Sequence, residues 1–439
     1  MNTSLSTRVV LTPLRAGLRA GQGNSVDVLL RVQAPDAPAG NTAARPPQGV
    51  ALVLDRSGSM AGQPLVEARR CAEHVATHLC ATDFVSLVDF DHRVRRLLPA
   101  SPLGDGAALR HAVAGIDSGG NTDLHGGWLE GAQSLADLPQ LSLRRVILLS
   151  DGCANVGITD SEVIAPQCAA QATLGVTTST YGLGRSFNED LMVAMARAGG
   201  GSHYYGDTAE DLLEPFQQEF DLLAHLCLVK LEVSAVLPEG AELRWLNELQ
   251  PAGVGWRLPD LAWGAEAWAL ARIRLPQHAL PAVGDRLQLL RVEVRGEGLD
   301  GESVQLERVS LALQVMSPAA HDALPRDQLV LRRSVELEVA EMLARMRSAA
   351  MDGHWEAVEL LLCEAGEASA QHVWVHGMLT EMAEIASRRE RQRLMKETLY
   401  STEKLRRRLA SRMEKARDAA GDALPAYLRR KPLQGKRDL

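Results

Sequence analysis

The sequence lacks the features that mark several large classes of protein. No apolar run approaches the roughly 18 residues of a membrane-spanning helix. The N-terminus, MNTSLSTRVVLTPLRAG, has neither the apolar core nor the small-residue cleavage site of a signal peptide. The six cysteines are dispersed without CxxC or CxxH spacing, which argues against a zinc site or a disulfide framework. We therefore expect a cytoplasmic protein without a membrane span, whose thiols are reduced and mostly buried.

Signatures of nucleotide binding and of nucleophilic catalysis are also missing. There is no GxxxxGK[ST] phosphate loop, and no serine stands in a GxSxG elbow. His372 and His376 are four residues apart on a predicted helix, but HVWVH lacks the glutamate of the HExxH zinc motif, so packing or surface roles are favoured. A functional thiol at Cys153 is a minor alternative that stays open.

The composition that remains is that of an ordinary globular protein. The 439 residues are 46% apolar and 23% charged, which suits two or three domains. The net charge of −8 is unevenly divided, because residues 388–439 contain 17 Lys and Arg against 7 Asp and Glu. A basic C-terminal segment on an acidic body can bind nucleic acid, an anionic membrane or an acidic partner, although a solvated helix is the favoured interpretation.

Strands alternate with helices between residues 49 and 225. The runs VALVLD, FVSLVDF, RVILLS and VTTSTYGL are almost continuously apolar or β-branched, as expected of parallel strands covered on both faces. A further short strand is predicted at HYYG. Helices are predicted over residues 64–80, 107–116, 124–135, 160–174, 188–198 and 209–223. The pattern predicts a doubly wound, Rossmann-like α/β domain.

Residues 1–33 and 226–318 have the pattern of β-structure. Val26, Val28, Leu30 and Val32 alternate with other residues, which predicts a strand with one buried face. Five further strands are predicted after residue 226, and an antiparallel β-sandwich is the expected result. Because the N-terminal strands have no sheet of their own, we expect them to pair with the later strands. The α/β domain is then an insertion into the sandwich, with residues 34–48 as a proline-rich linker.

Residues 325–420 are predicted to form a helical C-terminal region. Its first helix is marked by apolar residues in three- and four-residue steps: Leu331, Val335, Val339, Met342 and Met346. Gly353 interrupts this helix, and two more are predicted to follow. The last is long and basic, extends over residues 370–420 and carries Leu405, Leu409 and Met413 on one face. Residues 421–439 are predicted to be a flexible basic tail.

The candidate site consists of polar residues at predicted strand ends. VALVLDRSGSM supplies Asp55, Ser57 and Ser59, GGNTDLHGG supplies Thr122, and RVILLSDG supplies Asp151. Because the C-terminal ends of parallel strands meet at one sheet edge, these carboxylates and hydroxyls are expected to converge there. Oxygen ligands suit a hard divalent cation such as Mg²⁺, which tends to keep some waters and leaves room for an outside ligand.

Three glycines have expected roles in this convergence. Gly58 is expected to relieve backbone crowding within the first turn. Gly119 and Gly120 are expected to let the Thr122 loop approach the ion. Asp123 and His125, which flank Thr122, are candidates for contacts with the ligands.

These residues, in this order, resemble the metal-ion-dependent adhesion site of the von Willebrand factor A domain. The resemblance covers roughly residues 49–223, and all five motif positions are present. It implies Mg²⁺ as the cofactor, with Mn²⁺ or Ca²⁺ as alternatives. It also implies that the serines, and often the threonine, touch the metal directly while the aspartates act through water. The competing interpretation is that the serine-rich turn is only a helix cap.

The resemblance implies a bacterial, non-enzymatic interaction protein whose metal completes its coordination with an Asp or Glu of a protein partner. A looser likeness of the whole chain to bacterial multidomain proteins of this superfamily suggests an AAA+ ATPase, or a kinase- or phosphatase-linked signalling or defence component, as that partner.

Two other functions stay open. In the first, the basic C-terminal helix binds nucleic acid or an acidic partner, and the α/β domain is regulatory. In the second, which is less favoured, the protein is a metal-dependent hydrolase, and only His125 is a candidate general base.

Overall fold

The computed structural model describes residues 7–36, 46–141, 143–151, 154–183, 188–206 and 225–407, and in addition the single residues 212, 216, 219, 220 and 223. The chain forms two compact units. One contains residues 42–225 and 299–301, and the other contains residues 1–41, 226–298 and 302–439. Within the described ranges, no helix has the length and apolarity needed to cross a membrane.

The strands are, in chain order, β1 (Arg8–Pro13), β2 (Gly17–Arg19), β3 (Asn24–Gln33), β4 (Gly49–Asp55), β5 (Phe84–Phe90), β6 (Val94–Pro102), β7 (Arg144–Ser150), β8 (Val176–Leu183), β9 (Gly200–Gly206), β10 (Leu226–Val236), β11 (Glu242–Trp245), β12 (Pro251–Ala252), β13 (Gly255–Arg257), β14 (Leu261–Ala262), β15 (Glu266–Leu275), β16 (Arg286–Gly298), β17 (Ser303–Gln305) and β18 (Val309–Met316).

The helices are α1 (Gln63–His78), α2 (Ala107–Ala114), α3 (Leu124–Ala136), α4 (Ser161–Thr173), α5 (Glu189–Ala198), α6 (Pro318–Asp322), α7 (Gln328–Met351), α8 (Trp355–Ala368), α9 (Val373–Ser387) and α10 (Arg391–Arg407). Residues 212, 216, 219, 220 and 223 are also helical.

The α/β unit is built on a six-stranded sheet in the order β6-β5-β4-β7-β8-β9. Neighbouring strands are parallel except β6, which pairs antiparallel with β5. The central strand β4 is buried along its whole length, which explains its uninterrupted apolar sequence. The predicted α/β fold with a parallel sheet is confirmed. Strand β6 was not predicted, because VRRLLPASP mixes charged, apolar and proline residues as a loop does.

Helix α3 packs closely on the sheet because two of its three glycines face the strands. A Cβ atom on Gly127 would lie 2.4 Å from the ring of Phe90, and one on Gly131 would lie 2.4 Å from Val53 Cγ2. Both distances are far below van der Waals contact. The glycines therefore set the height of α3 above β4 and β5, and with it the position of the loop that precedes the helix.

In the other unit, the N-terminal strands pair with strands far along the chain. One sheet has the order β1-β3-β15-β11, and β3 pairs antiparallel with β15 from Asn24 opposite Leu275 to Gln33 opposite Glu266. A second sheet has the order β12-β13-β10-β16-β18-β2, with β14 beside β10 and β17 beside β16. The expected pairing of the N-terminal strands with later strands is therefore observed.

Both faces of β3 are covered, so the expectation of a single buried face was wrong. Val28 and Leu30 are buried on one face and Leu29 on the other. Leu29 clusters with Trp268 of β15 and with Val330 of α7, so a helix covers the face that the alternating pattern left to solvent. The last of the five strands predicted after residue 226, with the sequence SVQLERVSLALQV, was also too long, since it divides into β17 and β18.

The helical region is folded around α7. Gly353, at φ +76°, follows the end of α7 as expected. The single long helix predicted over residues 370–420 was wrong, because the chain breaks between α9 and α10, where Arg389 has a φ of +53°. After this break Leu394 and Leu405 pack in the same apolar cluster as Val339 and Met346 of α7. Leu409, Met413 and the predicted tail over residues 421–439 lie outside the described residues.

The cysteines agree only partly with expectation. Those described form no disulfide with one another; Cys71, Cys168 and Cys227 are buried, whereas Cys80 and Cys363 are exposed. Cys153 lies outside the described residues.

The close packing of α3 predicts a loss of stability for Gly131→Ala. The added methyl group cannot be accommodated beside Val53 without a shift of the helix, so we expect a loss of about 1–3 kcal/mol. Gly366→Ala is the matched control, because Gly366 also lies inside a helix but a Cβ there meets nothing within 4 Å. That variant should be as stable as the wild type or more stable by up to about 1 kcal/mol.

Thermal unfolding of the full chain measures the effect, and hydrogen exchange over residues 124–136 assigns it to α3. Equal effects of the two substitutions would show that the close packing of α3 is not needed for stability.

Candidate metal centre

The strand register brings two of the predicted ligands to one edge of the sheet. Leu54 of β4 lies opposite Leu149 of β7, so Asp55 and Ser150 end adjacent parallel strands, and Asp151 follows directly. Asp55 is fully buried, and Asp151 is only 9% exposed. The carboxylates that the sequence separates by 96 positions are therefore neighbours.

The turn after β4 gathers the hydroxyls beside these carboxylates. The Ser57 amide donates to Asp55 Oδ1 over 2.8 Å, which curls the chain back toward the strand end. The Oγ atoms of Ser57 and Ser59 are 3.1 Å apart, and Ser59 hydrogen-bonds the Asp151 side chain. Four of the five predicted ligands thus form one continuous polar cluster.

The Thr122 loop is held to this cluster through its main chain. The Gly58 amide donates to the Gly120 carbonyl over 2.9 Å, which joins the first turn to the loop. On the other side, the Thr122 amide donates to Asn155 Oδ1 over 2.8 Å, and the Asn155 amide donates to the Thr122 carbonyl over 3.1 Å. Thr122 is 2% exposed. The loops that carry the five ligands are therefore bonded to one another.

Of the three glycines, only Gly120 is required by the geometry. It has a φ of +76°, and a Cβ atom there would lie 2.3 Å from His92 Nδ1. A Cβ on Gly119 would meet nothing within 4 Å of the described protein atoms, so the role expected of Gly119 in the approach to the ion stays a prediction. A Cβ on Gly58 would lie 3.4 Å from the Gly120 carbonyl oxygen, which is an ordinary contact.

Asp55 is a fully engaged carboxylate. Its Oδ1 accepts the Ser57 amide, and its Oδ2 accepts a short hydrogen bond from the Ser150 hydroxyl. Burial raises the pKa of Asp55 to about 6; the hydrogen bonds from Ser150 and Ser57 oppose this shift, and the charge of Asp151 adds to it. The occupied oxygens suit a residue that orients the turn and reaches a cation through water.

Asp151 has an unused acceptor. Its Oδ1 is buried and accepts no hydrogen bond within the described part of the chain. Burial also raises the pKa of this carboxyl. A buried acceptor without a partner is costly and uncommon. A divalent cation would supply the missing positive partner, and the neighbouring serine hydroxyls are oxygen ligands of the kind that Mg²⁺ accepts. The residues present therefore fit the metal.

Two residues of this site were missed by the sequence analysis. Ser150 precedes Asp151 and ends β7, the strand beside β4. The parallel register of these two strands, which brings Ser150 level with Asp55, was the signal that could have identified it. Asn155, whose side chain holds Thr122, lies in the loop after β7 and gave no signal of its own.

The flanking candidates have structural roles. Asp123 caps α3, and its carboxylate accepts the Gly126 amide over 2.9 Å. His125 is 8% exposed, and its Nε2 is 2.9 Å from Gln167 Oε1.

His372 Nε2 lies 3.1 Å from the buried carboxylate of Glu336, which agrees with a packing role. The described residues contain no cluster of three or more His, Cys, Asp or Glu side chains able to hold a metal.

Comparisons with known proteins agree with the fold. Residues 50–154 match the family model of the von Willebrand factor type A domain. A protein of Synechocystis sp. is 30% identical over 250 residues, which cover 53% of this chain and 58% of that protein. The chain spans still smaller shares of the next curated relatives.

Two solved structures are similar over most of the chain. The von Willebrand factor type A protein of Catenulispora acidiphila superposes with a TM-score of 0.69 at 15% identity, covering 86% of this chain and 90% of that one. The ArnB paralog VWA2 of Sulfolobus acidocaldarius gives a TM-score of 0.60 at 17% identity, covering 92% of this chain and 98% of that one. At these identities the likeness concerns the fold alone.

The raised pKa of Asp55 predicts a pH-dependent loss of stability in the metal-free protein. Unfolding returns this carboxyl to an ordinary pKa near 3.8. Its contribution to stability is therefore full below pH 4 and is lost as the pH rises through about 6, because the folded chain must then ionise a buried group. Asp55→Asn has no such group, so in EDTA at pH 7 it should be more stable than the wild type by about 1–3 kcal/mol.

Denaturant unfolding in EDTA across pH 4–8 measures this difference. Asp160→Asn is the control, since Asp160 is an exposed helix cap in the same unit and asparagine also caps helices. A difference between Asp55→Asn and the wild type that does not change with pH would contradict the assignment to Asp55 ionisation.

Proposed function

The chain contains a von Willebrand factor type A domain, and from this premise we propose that it is a non-enzymatic interaction protein that binds an acidic side chain of a protein partner through a metal ion. The metal is Mg²⁺, with Mn²⁺ or Ca²⁺ as alternatives. The residues that hold it, directly or through water, are Asp55, Ser57, Ser59, Thr122 and Asp151.

The observation that carries the proposal is the Oδ1 atom of Asp151, which has no hydrogen-bond partner among the described residues. It is buried beside the Ser57 and Ser59 hydroxyls, in a cluster whose second carboxylate, Asp55, is also buried. Two buried carboxylates next to neutral hydroxyls form an environment that favours a cation and disfavours two free anions. A helix cap alone would leave the Asp151 oxygen without a partner.

The residues divide their work according to their surroundings. Asp55 has both oxygens engaged, so it orients the Ser57 turn and supplies charge rather than a direct bond. Ser59 is exposed, which supports access of a partner's side chain to this end of the cluster. Because hydroxyl ligands are neutral, Mg²⁺ held here would remain electrophilic and would supply a binding position for a carboxylate.

The surroundings of His125 support a role without catalysis. This residue was the only candidate general base, and its side chain is buried and hydrogen-bonded to Gln167. A hydrolytic metal site needs a base that can reach the metal-bound water. We therefore favour a reversible contact over catalysis. The proposed partner is an AAA+ ATPase or a kinase- or phosphatase-linked component in the cytoplasm, as the looser likeness of the whole chain suggests. The proposal includes a β-sandwich, formed by the two sheets of the other unit, into which the α/β domain is inserted. The strand pairs of these sheets are antiparallel except β2 with β18.

Metal dependence predicts that Mg²⁺ stabilises the wild type and not Asp151→Asn. At a free Mg²⁺ concentration 100 times the dissociation constant, the gain should be about 2.7 kcal/mol. The substitution removes the charge beside Ser59 while keeping the shape of the side chain, so the fold should persist without this gain. Calorimetric titration with Mg²⁺, Mn²⁺ and Ca²⁺ measures the affinity, and Asp160→Asn again serves as the charge-matched control.

Partner binding is tested by affinity purification from the source cells in Mg²⁺ and in EDTA, read by mass spectrometry. Proteins retained by the wild type in Mg²⁺ should be lost in EDTA and with Asp151→Asn, and kept with Asp160→Asn. Retention of the same proteins in EDTA and by Asp151→Asn would refute a metal-dependent contact.

A further inference from the structure

A buried ion pair lies immediately beside the proposed ligands. Arg56 stands between Asp55 and Ser57 in the chain, and its Nη2 is 2.7 Å from Asp91 Oδ2. The two side chains are only 12% and 3% exposed. Neither residue belongs to the five-residue ligand motif, and a buried pair held away from water requires good geometry to be tolerated.

Arg56 is bonded to the elements on both sides of the turn. Its amide donates to the Phe90 carbonyl at the end of β5 over 2.9 Å, and its carbonyl accepts the Gly119 amide over 2.8 Å. Its Nη1 also donates to the Asp117 carbonyl over 3.1 Å. Arg56 therefore holds the segment that leads into Thr122.

Asp91 holds the segment that leads out of Thr122. Its carbonyl accepts the Asp123 amide over 2.8 Å, while its Oδ1 accepts the Arg93 amide over 2.6 Å. Thr122 thus lies between Gly119, bonded to Arg56, and Asp123, bonded to Asp91. The side-chain ion pair between Arg56 and Asp91 therefore joins the two residues whose main chains hold the Thr122 loop at its two ends.

We propose that Arg56 and Asp91 are positioning residues that set the distance between the Thr122 hydroxyl and the serine hydroxyls of the first turn. The inference rests on the proposed function, in which these hydroxyls bind Mg²⁺. Partners that orient metal ligands without touching the metal commonly change metal affinity by about 10–100-fold when removed.

Electrostatics alone predicts the opposite effect of removing Arg56. Asp89 is fully buried and lies 3.5 Å from Arg56 Nε, while a second arginine, Arg95, also pairs with Asp89. Loss of the Arg56 charge would leave these carboxylates less compensated and would attract a cation more strongly. A decrease in Mg²⁺ affinity in Arg56→Met would therefore identify positioning, and an increase would identify a charge effect.

The first measurement is calorimetric titration of the full chain with Mg²⁺. Arg56→Met should weaken binding at least about tenfold. Arg56→Lys, which keeps the charge but not the planar fork, should show a smaller loss. Arg95→Met is the matched control, because it removes the same charge from Asp89 without releasing the Thr122 loop, and its affinity should be unchanged or higher. Binding by Arg56→Met that is as tight as the wild type, or tighter, overturns the proposal.

The second measurement is hydrogen exchange over residues 117–123 in EDTA, which needs no metal. Exchange should be faster in Arg56→Met and Asp91→Asn than in the wild type and Arg95→Met. The double variant Arg56→Met/Asp91→Asn should be little worse than either single variant, because both break one unit. Unchanged exchange overturns the proposal even if Mg²⁺ affinity falls. If the wild type binds no Mg²⁺, the proposed function fails, and exchange still decides whether the pair orders the loop.

Discussion

The parallel pairing of β4 with β5 and β7 is the constraint on which the site depends. All seven residues of β4 are buried, and six of them carry no ionisable group, so Asp55 is the first charged side chain after a long apolar run. The same pairing places Phe90 opposite Asp55 and brings Ser150 to its other side. The polar residues that follow each of these strands therefore lie at the same edge of the sheet. Sequence separation is therefore irrelevant to the convergence of these residues.

This arrangement concentrates negative charge where water has little access. Asp55 and Asp89 are fully buried, Asp91 is 2% exposed and Asp151 is 9% exposed. This negative charge is compensated differently on the two sides of the first turn. On one side, Arg56 and Arg95 neutralise Asp89 and Asp91. On the other side, the described residues that donate to Asp55 are neutral, and one oxygen of Asp151 has no hydrogen-bond partner among them. The uncompensated charge is thus confined to the part of the edge that carries the serine hydroxyls.

Much of the fold could be predicted from sequence because its strands are long, apolar and bounded by turns. What could not be predicted depended on contacts with other elements. The alternation in β3 was interpreted as one exposed face, although α7 covers that face through Val330. The break at Arg389 was hidden because SRRERQR is composed of good helix formers, and only packing of Leu394 on the α7 cluster accounts for the turn. For the site, the ligand motif was visible, whereas Ser150 and Asn155 became recognisable only once register and loop contacts were known.

The pairing of β3 with β15 has a consequence for biosynthesis. Gln33 and Glu266, which hydrogen-bond across these strands, are separated by 233 residues. At a translation rate of about 5–20 residues per second, the ribosome needs roughly 10–50 s to make that distance. During this interval β3 has left the exit tunnel without its central neighbour, while the strands β4 to β9 emerge and can fold first. The edge of β3 that pairs with β15 therefore stays open throughout the synthesis of the residues between them.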